Sequence, residues 1–170
     1  KDYLNFDYTL NEVSEILTNT GLEVEKCIPR YSDEESMKKL IIGKIISIEN
    51  HPNADKLKLT KVDVGINILN IICGAGNIKK DDYVVVANCG LTITNLDGQT
   101  LKIKKTKIRG EFSDGMLCSE YEIGLGFDNS GVITLSKNDS IKIGQYIWDY
   151  FDLKQDYLYE IGLTDRKSVV

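Results

Sequence analysis

Apolar and polar residues change rhythm several times along this chain, and each change marks a different kind of element. Thr9-Leu10-Asn11-Glu12 has the form of a capping box, with the Thr9 hydroxyl and Glu12 carboxylate serving each other's backbone N–H groups. Leu10, Val13, Ile16 and Leu17 follow at helical spacing, and Gly21 offers a left-handed stop, so a helix is predicted between them. Leu22 and Val24 then alternate with Glu23 and Glu25, the period of a strand. Between Pro29 and Lys39 the chain turns polar, through Arg30, Ser32, Asp33, Glu34, Glu35 and Ser36, and a module boundary is expected there.

From Leu40 to about Tyr146 short apolar runs alternate with turns. Strands are predicted over 41–49, 57–64, 68–73, 83–88, 101–104, 107–109 and 132–135, with glycines between them. That spacing predicts a small closed or partly open β-barrel and not a sheet with crossover helices. Leu101 and Ile103 share one parity and Ile108 has the other, so a β-bulge is expected near Lys104–Lys105. Residues 147–153 are apolar at near-helical spacing, and 157–163 read as a last strand. No internal repeat is present.

Charge changes the picture only when it is read locally. The net charge is −5, which by itself discourages a polyanionic partner. Yet residues 101–110 hold Lys102, Lys104, Lys105, Lys107 and Arg109 with no acid, a local +5 that leaves −10 for the rest. Fields in physiological salt decay over about 8 Å, so such a stripe can act on a phosphate while distant acids are screened. The four cysteines, Cys27, Cys73, Cys89 and Cys118, form no CxxC pair and His51 is the single histidine, so neither a metal site nor a disulfide framework is expected. Buried free thiols are expected instead. The longest apolar runs are strand-sized, so no membrane span is predicted. The start, Lys1-Asp2-Tyr3-Leu4-Asn5, has no initiator Met and no secretion signal, which reads as a cut start of a cytoplasmic protein.

Four segments invite a chemical reading, each with a plainer one beside it. His51-Pro52-Asn53-Ala54-Asp55-Lys56-Leu57 joins two strands as a rigid loop whose side chains cap its own backbone, and it could also meet RNA. Cys73-Gly74-Ala75-Gly76-Asn77 lacks the Lys-Ser/Thr of a phosphate-binding loop and reads as a tight barrel connection. In Ser113-Asp114-Gly115-Met116-Leu117-Cys118-Ser119-Glu120, a nucleophilic Cys118 or Ser119 would need a base that the sequence does not supply. The expectation there is a turn at Gly115, Met116 and Cys118 packed inward, and a short helix beginning at Ser119 and Glu120. No catalytic residue is assigned. The stripe from Lys102 to Arg109 is the candidate phosphate contact, with Phe112 and Tyr121 as candidate base stackers and Ser119 beside them. Edge-strand lysines that block aggregation are the equally weighted alternative.

Taken in order, His51–Leu57, Val62-Asp63-Val64-Gly65, Ile72-Cys73-Gly74-Ala75, Lys104–Gly110 and Gly115–Glu120 resemble tRNA-binding domains of the endothelial-monocyte-activating-polypeptide type. The flanks, Leu17-Thr18-Asn19-Thr20-Gly21-Leu22-Glu23-Val24-Glu25 and Glu120-Tyr121-Glu122-Ile123-Gly124-Leu125, are similar to the start of bacterial phenylalanine–tRNA ligase beta subunits. The family differs in carrying Pro where Gly76 stands, in a longer link than Gly65–Ile72, and in running Thr-Pro-Asn-Arg where Thr164-Asp165-Arg166-Lys167-Ser168 stands. No function is placed on 164–170.

The resemblance implies a mainly β fold, a five-stranded Greek-key barrel of the oligonucleotide-binding (OB) type, with a small flanking α+β module formed by both chain ends. Its division would be 1–38 and 150–170 for the module and 39–149 for the barrel. It also implies a non-catalytic, RNA-binding part of an enzyme that joins phenylalanine to tRNA. That enzyme would use ATP and magnesium, with a catalytic alpha subunit in a two-alpha, two-beta assembly, and this segment would hold no cofactor. A free-standing or appended tRNA-binding protein and a structural barrel for interdomain packing are the alternatives.

Overall fold

The structure is a computed structural model and describes residues 8–29, 31, 34–136 and 140–162. In chain order its first elements are α1 (Leu10–Asn19), β1 (Glu23–Pro29), α2 (Glu34–Met37), β2 (Ile41–His51), β3 (Ala54–Asp63), β4 (Ile68–Cys73) and β5 (Tyr83–Asn88). Then come β6 (Thr92–Thr94), β7 (Thr100–Lys102), β8 (Thr106–Ile108), β9 (Glu111–Ser113), β10 (Gly115–Leu117), β11 (Thr134–Leu135), α3 (Ile147–Tyr150) and β12 (Tyr157–Gly162). Two compact units result, Lys1–Arg30 with Gln155–Val170, and Tyr31–Lys154.

In the first unit the capping box forms as the sequence predicts. Glu12 N–H donates to Thr9 Oγ1 at 3.3 Å, while Thr9 N–H and the Thr9 hydroxyl donate to Glu12 Oε2 at 2.7 and 2.8 Å and hold that carboxyl below its ordinary pKa. Gly21, at φ 95°, ends α1: its N–H reaches Thr18 O and that of Leu22 reaches Leu17 O, the paired bonds of a Schellman stop. β1 then pairs antiparallel with β12. The predicted strand residue Leu163 and the tail 164–170 lie outside the described residues, as do Arg30, Ser32 and Asp33 of the expected boundary.

The second unit is a nearly closed antiparallel barrel. β2, β3 and β4 pair as consecutive neighbours and β5 returns beside β2, the 4-1-2-3 order of a Greek key. β10 lies on the other side of β5 and β11 also pairs with β5. The circuit closes where Asp114 N–H donates to Asn70 O at 2.7 Å and Ile72 N–H to Ser113 Oγ at 3.0 Å, joining β4 to the chain entering β10. A register shift between Ile45 and Ser47 bends β2 for that closure.

Alternate residues of a strand face opposite sides, and here both sides of β2 and β5 are covered. Ile41, Ile45, Val62, Val64, Ile71, Val84, Val86 and Leu117 fill the barrel. Leu40, Ile42, Val85 and Ala87 pack outside it with Met37, Ile93, Ile103, Cys118, Ile123 and Ile147. That second layer is why the 41–42 and 84–87 runs are apolar without alternation. Each fully buried aliphatic side chain contributes about 1.5–3 kcal/mol by leaving water. Gly43 marks the tightest point: a Cβ there would lie 2.6 Å from Val62 Cγ1 and 2.8 Å from Val86 Cγ2.

Several expectations are corrected. The parity change near Lys104–Lys105 is no bulge. β7 pairs with β6 and β8 with β9, and between them Ile103 is buried, its N–H bonded to Leu91 O and its carbonyl to Gly90 N–H. The chain changes hairpin at that point. Gly115 opens β10 instead of making a turn, opposite Asn88. Ser119 and Glu120 begin a turn, not a helix. Among the thiols, Cys73 and Cys118 are buried but Cys27 and Cys89 are exposed; burial pushes the Cys118 thiol far above its ordinary pKa.

Candidate functional site

The basic stretch runs from β7 into the β8–β9 hairpin, which carries Lys107 and Arg109, with Lys104 and Lys105 leading into β8. Thr106 pairs with Ser113, Lys107 with Phe112 and Ile108 with Glu111, leaving Arg109-Gly110 as a two-residue loop. Both loop residues have positive φ, 51° and 106°, the mirror-image turn that matches strand twist. Glycine takes that conformation freely, whereas an arginine there carries a cost of about 1–2 kcal/mol.

The loop after β2 holds this turn from outside. Asn53 N–H donates to His51 Nδ1 at 3.1 Å, so the ring proton sits on Nε2 and is aimed at Ile108 O, 3.1 Å away. Asn53 Nδ2 donates to Arg109 O at 3.1 Å. His51 is buried, and its neighbour Asn53 is exposed. The loop therefore caps its own backbone, as the sequence predicts, and also grips the hairpin that carries the cations.

Lys105 Nζ stands 5.4 Å and Lys107 Nζ 5.5 Å from the centroid of the Phe112 ring, whose face attracts cations. Phe112 is 52% exposed. Lys105 also reaches Asp114 Oδ1 at 2.8 Å, and that carboxylate holds the ammonium above its ordinary pKa. Lys104 is exposed, its carbonyl accepting from the Thr106 hydroxyl at 3.0 Å. Lys102 lies on the separate β6–β7 hairpin, opposite Thr92. Among the described residues, Lys105 alone of the five cations forms an ion pair.

Beside Phe112 runs a groove of about 430 Å³, lined by Ser47, Lys61, Asn70, Lys105 and Asp114 among others, with Glu49 and Glu111 adding negative charge. Lys61 and Asn70 face each other across β3 and β4. Sequence reasoning missed both. The alternation of exposed Lys61 with buried Thr60 and Val62 signals an outward lysine, but only barrel closure brings β3 and β4 to the side of Phe112.

Tyr121 and Ser119 sit in another setting. The Tyr121 hydroxyl donates to Asp97, which pushes its pKa up, and its carbonyl accepts from Leu96 N–H at 3.1 Å. It is thus tied to the chain following β6. Ser119 is 4% exposed, and its Oγ and N–H both donate to Glu122 Oε2, at 2.9 and 2.7 Å. Lys105, Lys107 and Phe112 are brought together; Lys104 and Arg109 share their stretch of chain. No group of three or more His, Cys, Asp or Glu able to hold a metal occurs among the described residues, and none of their helices is long and apolar enough to cross a membrane.

Comparison with known proteins gives this geometry a context. Residues 40–145 match the family described as "Putative tRNA binding domain". The chain is 44% identical over 171 residues to the phenylalanine–tRNA ligase beta subunit of Syntrophus aciditrophicus, covering 99% of this chain and 20% of that protein. It is 37% identical over 169 residues to the beta subunit of Bacteroides thetaiotaomicron, and 39% over 170 residues to that of Geobacter metallireducens, each again covering 99% of this chain and 20% of the relative. The chain thus spans about a fifth of the length of the relatives it matches. It belongs to the tRNA-binding domain family.

Proposed function

We propose that this member of the tRNA-binding domain family contacts tRNA through Lys104, Lys105, Lys107 and Arg109, with a base or ribose resting against Phe112. The observation that carries the reading is the pair of lysines beside one exposed aromatic ring. Phosphates meet the ammonium groups while a base finds a π face, worth about 1–3 kcal/mol per stacked base. Lys102 and Tyr121 would extend the path toward the β6–β7 hairpin, and buried Ser119 would act by holding its turn. On this reading 39–149 is the RNA-facing domain and 1–38 with 150–170 the flanking module.

The names of the relatives carry the proposal one step further. The whole protein would be the beta subunit of an enzyme that charges tRNA with phenylalanine, working in the cytoplasm with a catalytic alpha subunit in a two-alpha, two-beta assembly. ATP and magnesium would serve that enzyme. A second reading, a barrel used for packing against other domains, is favoured by the Lys105–Asp114 pair and the acids in the groove.

tRNA binding across a salt series separates the two. Each single-strand phosphate neutralised adds about 0.7 to the slope of log affinity against log salt. The intact chain is expected to give a shallow slope. Replacing Lys104, Lys105, Lys107 and Arg109 by Ala should flatten it further. Equal slopes would favour the packing reading.

A further inference from the structure

We infer that His51 and Asn53 are positioning residues for RNA contact: they hold Arg109 in its left-handed conformation at the hairpin tip, where its guanidinium meets a phosphate. The inference rests on the proposed RNA reading and adds to it a role for two residues that need not touch RNA. An isolated two-residue loop with arginine at its first position has little reason to stay in a conformation that L side chains avoid. Three contacts act on it here. His51 Nε2 lies 3.1 Å from Ile108 O, Asn53 Nδ2 lies 3.1 Å from Arg109 O, and Asn53 N–H on His51 Nδ1 fixes the ring that makes the first of them.

The two carbonyls gripped are those of Arg109 and the residue before it, so the clamp acts on the backbone and leaves the guanidinium free. Among the described residues Arg109 is exposed and forms no ion pair. A site built to meet a phosphate at a fixed place gains from such a stop, because a mobile tip would lose freedom on binding. Gly110 fits the same arrangement: a Cβ there would come within 3.5 Å of Asn53 Nδ2, at a φ of 106°.

A double-mutant cycle on tRNA binding tests this, using Asn53→Ala and Arg109→Gly. Glycine keeps the turn at ease while removing the guanidinium. Asn53 is exposed, so Asn53→Ala is expected to fold, as checked by circular dichroism; Asn53→Ser, too short to reach Arg109 O, is the second variant. Asn53→Ala should weaken binding about fivefold at low salt, the worth of one net hydrogen bond. It should also lower the salt slope by up to about 0.7, and have no further effect in the Arg109→Gly background. A merely structural Asn53 would lower the melting midpoint and leave slope and cycle unmoved. If Arg109→Gly weakens binding and Asn53→Ala does not, or if the two losses add in full, the positioning role is overturned while the RNA reading stands. If neither variant changes binding, the RNA contact at this tip fails and the inference with it.

Discussion

Lys105 faces two partners of opposite demand, a phosphate that would take its charge and the Asp114 carboxylate that already holds it at 2.8 Å. The pair is exposed and screened by solvent, so the lysine remains available to a second partner. Asp114→Asn removes the competitor and one negative charge from the groove. tRNA affinity at low salt should rise about twofold to fivefold, as read by fluorescence anisotropy. The same pair has a pH signature. Because Asp114 raises the folded pKa of Lys105, its stabilisation is complete below the ordinary lysine value of about 10.4. It is lost as pH rises through the raised value. Thermal melts should therefore show an alkaline decline that is smaller in Asp114→Asn, and an identical decline would contradict the pairing.

At the scale of elements, the barrel depends on close backbone approach where β2 crosses β3 and β5. Gly43→Ala places a methyl within 3 Å of Val62 Cγ1 and Val86 Cγ2. Both valines are fully buried on central strands and have nowhere to retreat. Overpacking of this kind costs about 1–3 kcal/mol, to be read as a lower urea midpoint with unchanged m-value. α1, with its box and its Gly21 stop, was legible in the sequence because both signals are local. The long strands β2 to β5 were legible from their runs. β6, β9 and β10 are three residues each, too short for a period to emerge. The change of hairpin after Lys102 looked like a bulge because either event inverts parity, and only pairing distinguishes them.

Over the whole molecule, the average charge of −5 and the local stripe of five cations point in opposite directions. Screening lets both hold at once. The stripe, Phe112 and the clamp loop were visible as motifs, because each is continuous in sequence. The parts that stayed hidden are the non-local ones: Lys61 and Asn70 reach the groove through barrel closure, and His51 grips a carbonyl 57 positions along the chain. Tyr121 shows the converse. It is close to Phe112 in sequence, yet its hydroxyl is held by Asp97 beyond β6.

On the proposed reading one face, centred on the β8–β9 hairpin, receives tRNA. Amide chemical shifts of the isotopically labelled chain, followed as tRNA is added, test it directly. Shifts should be concentrated in 104–114 and at Lys61 and Asn70, fading as salt is raised. Shifts spread over α1, β1 and β12, with the hairpin unmoved, would contradict it.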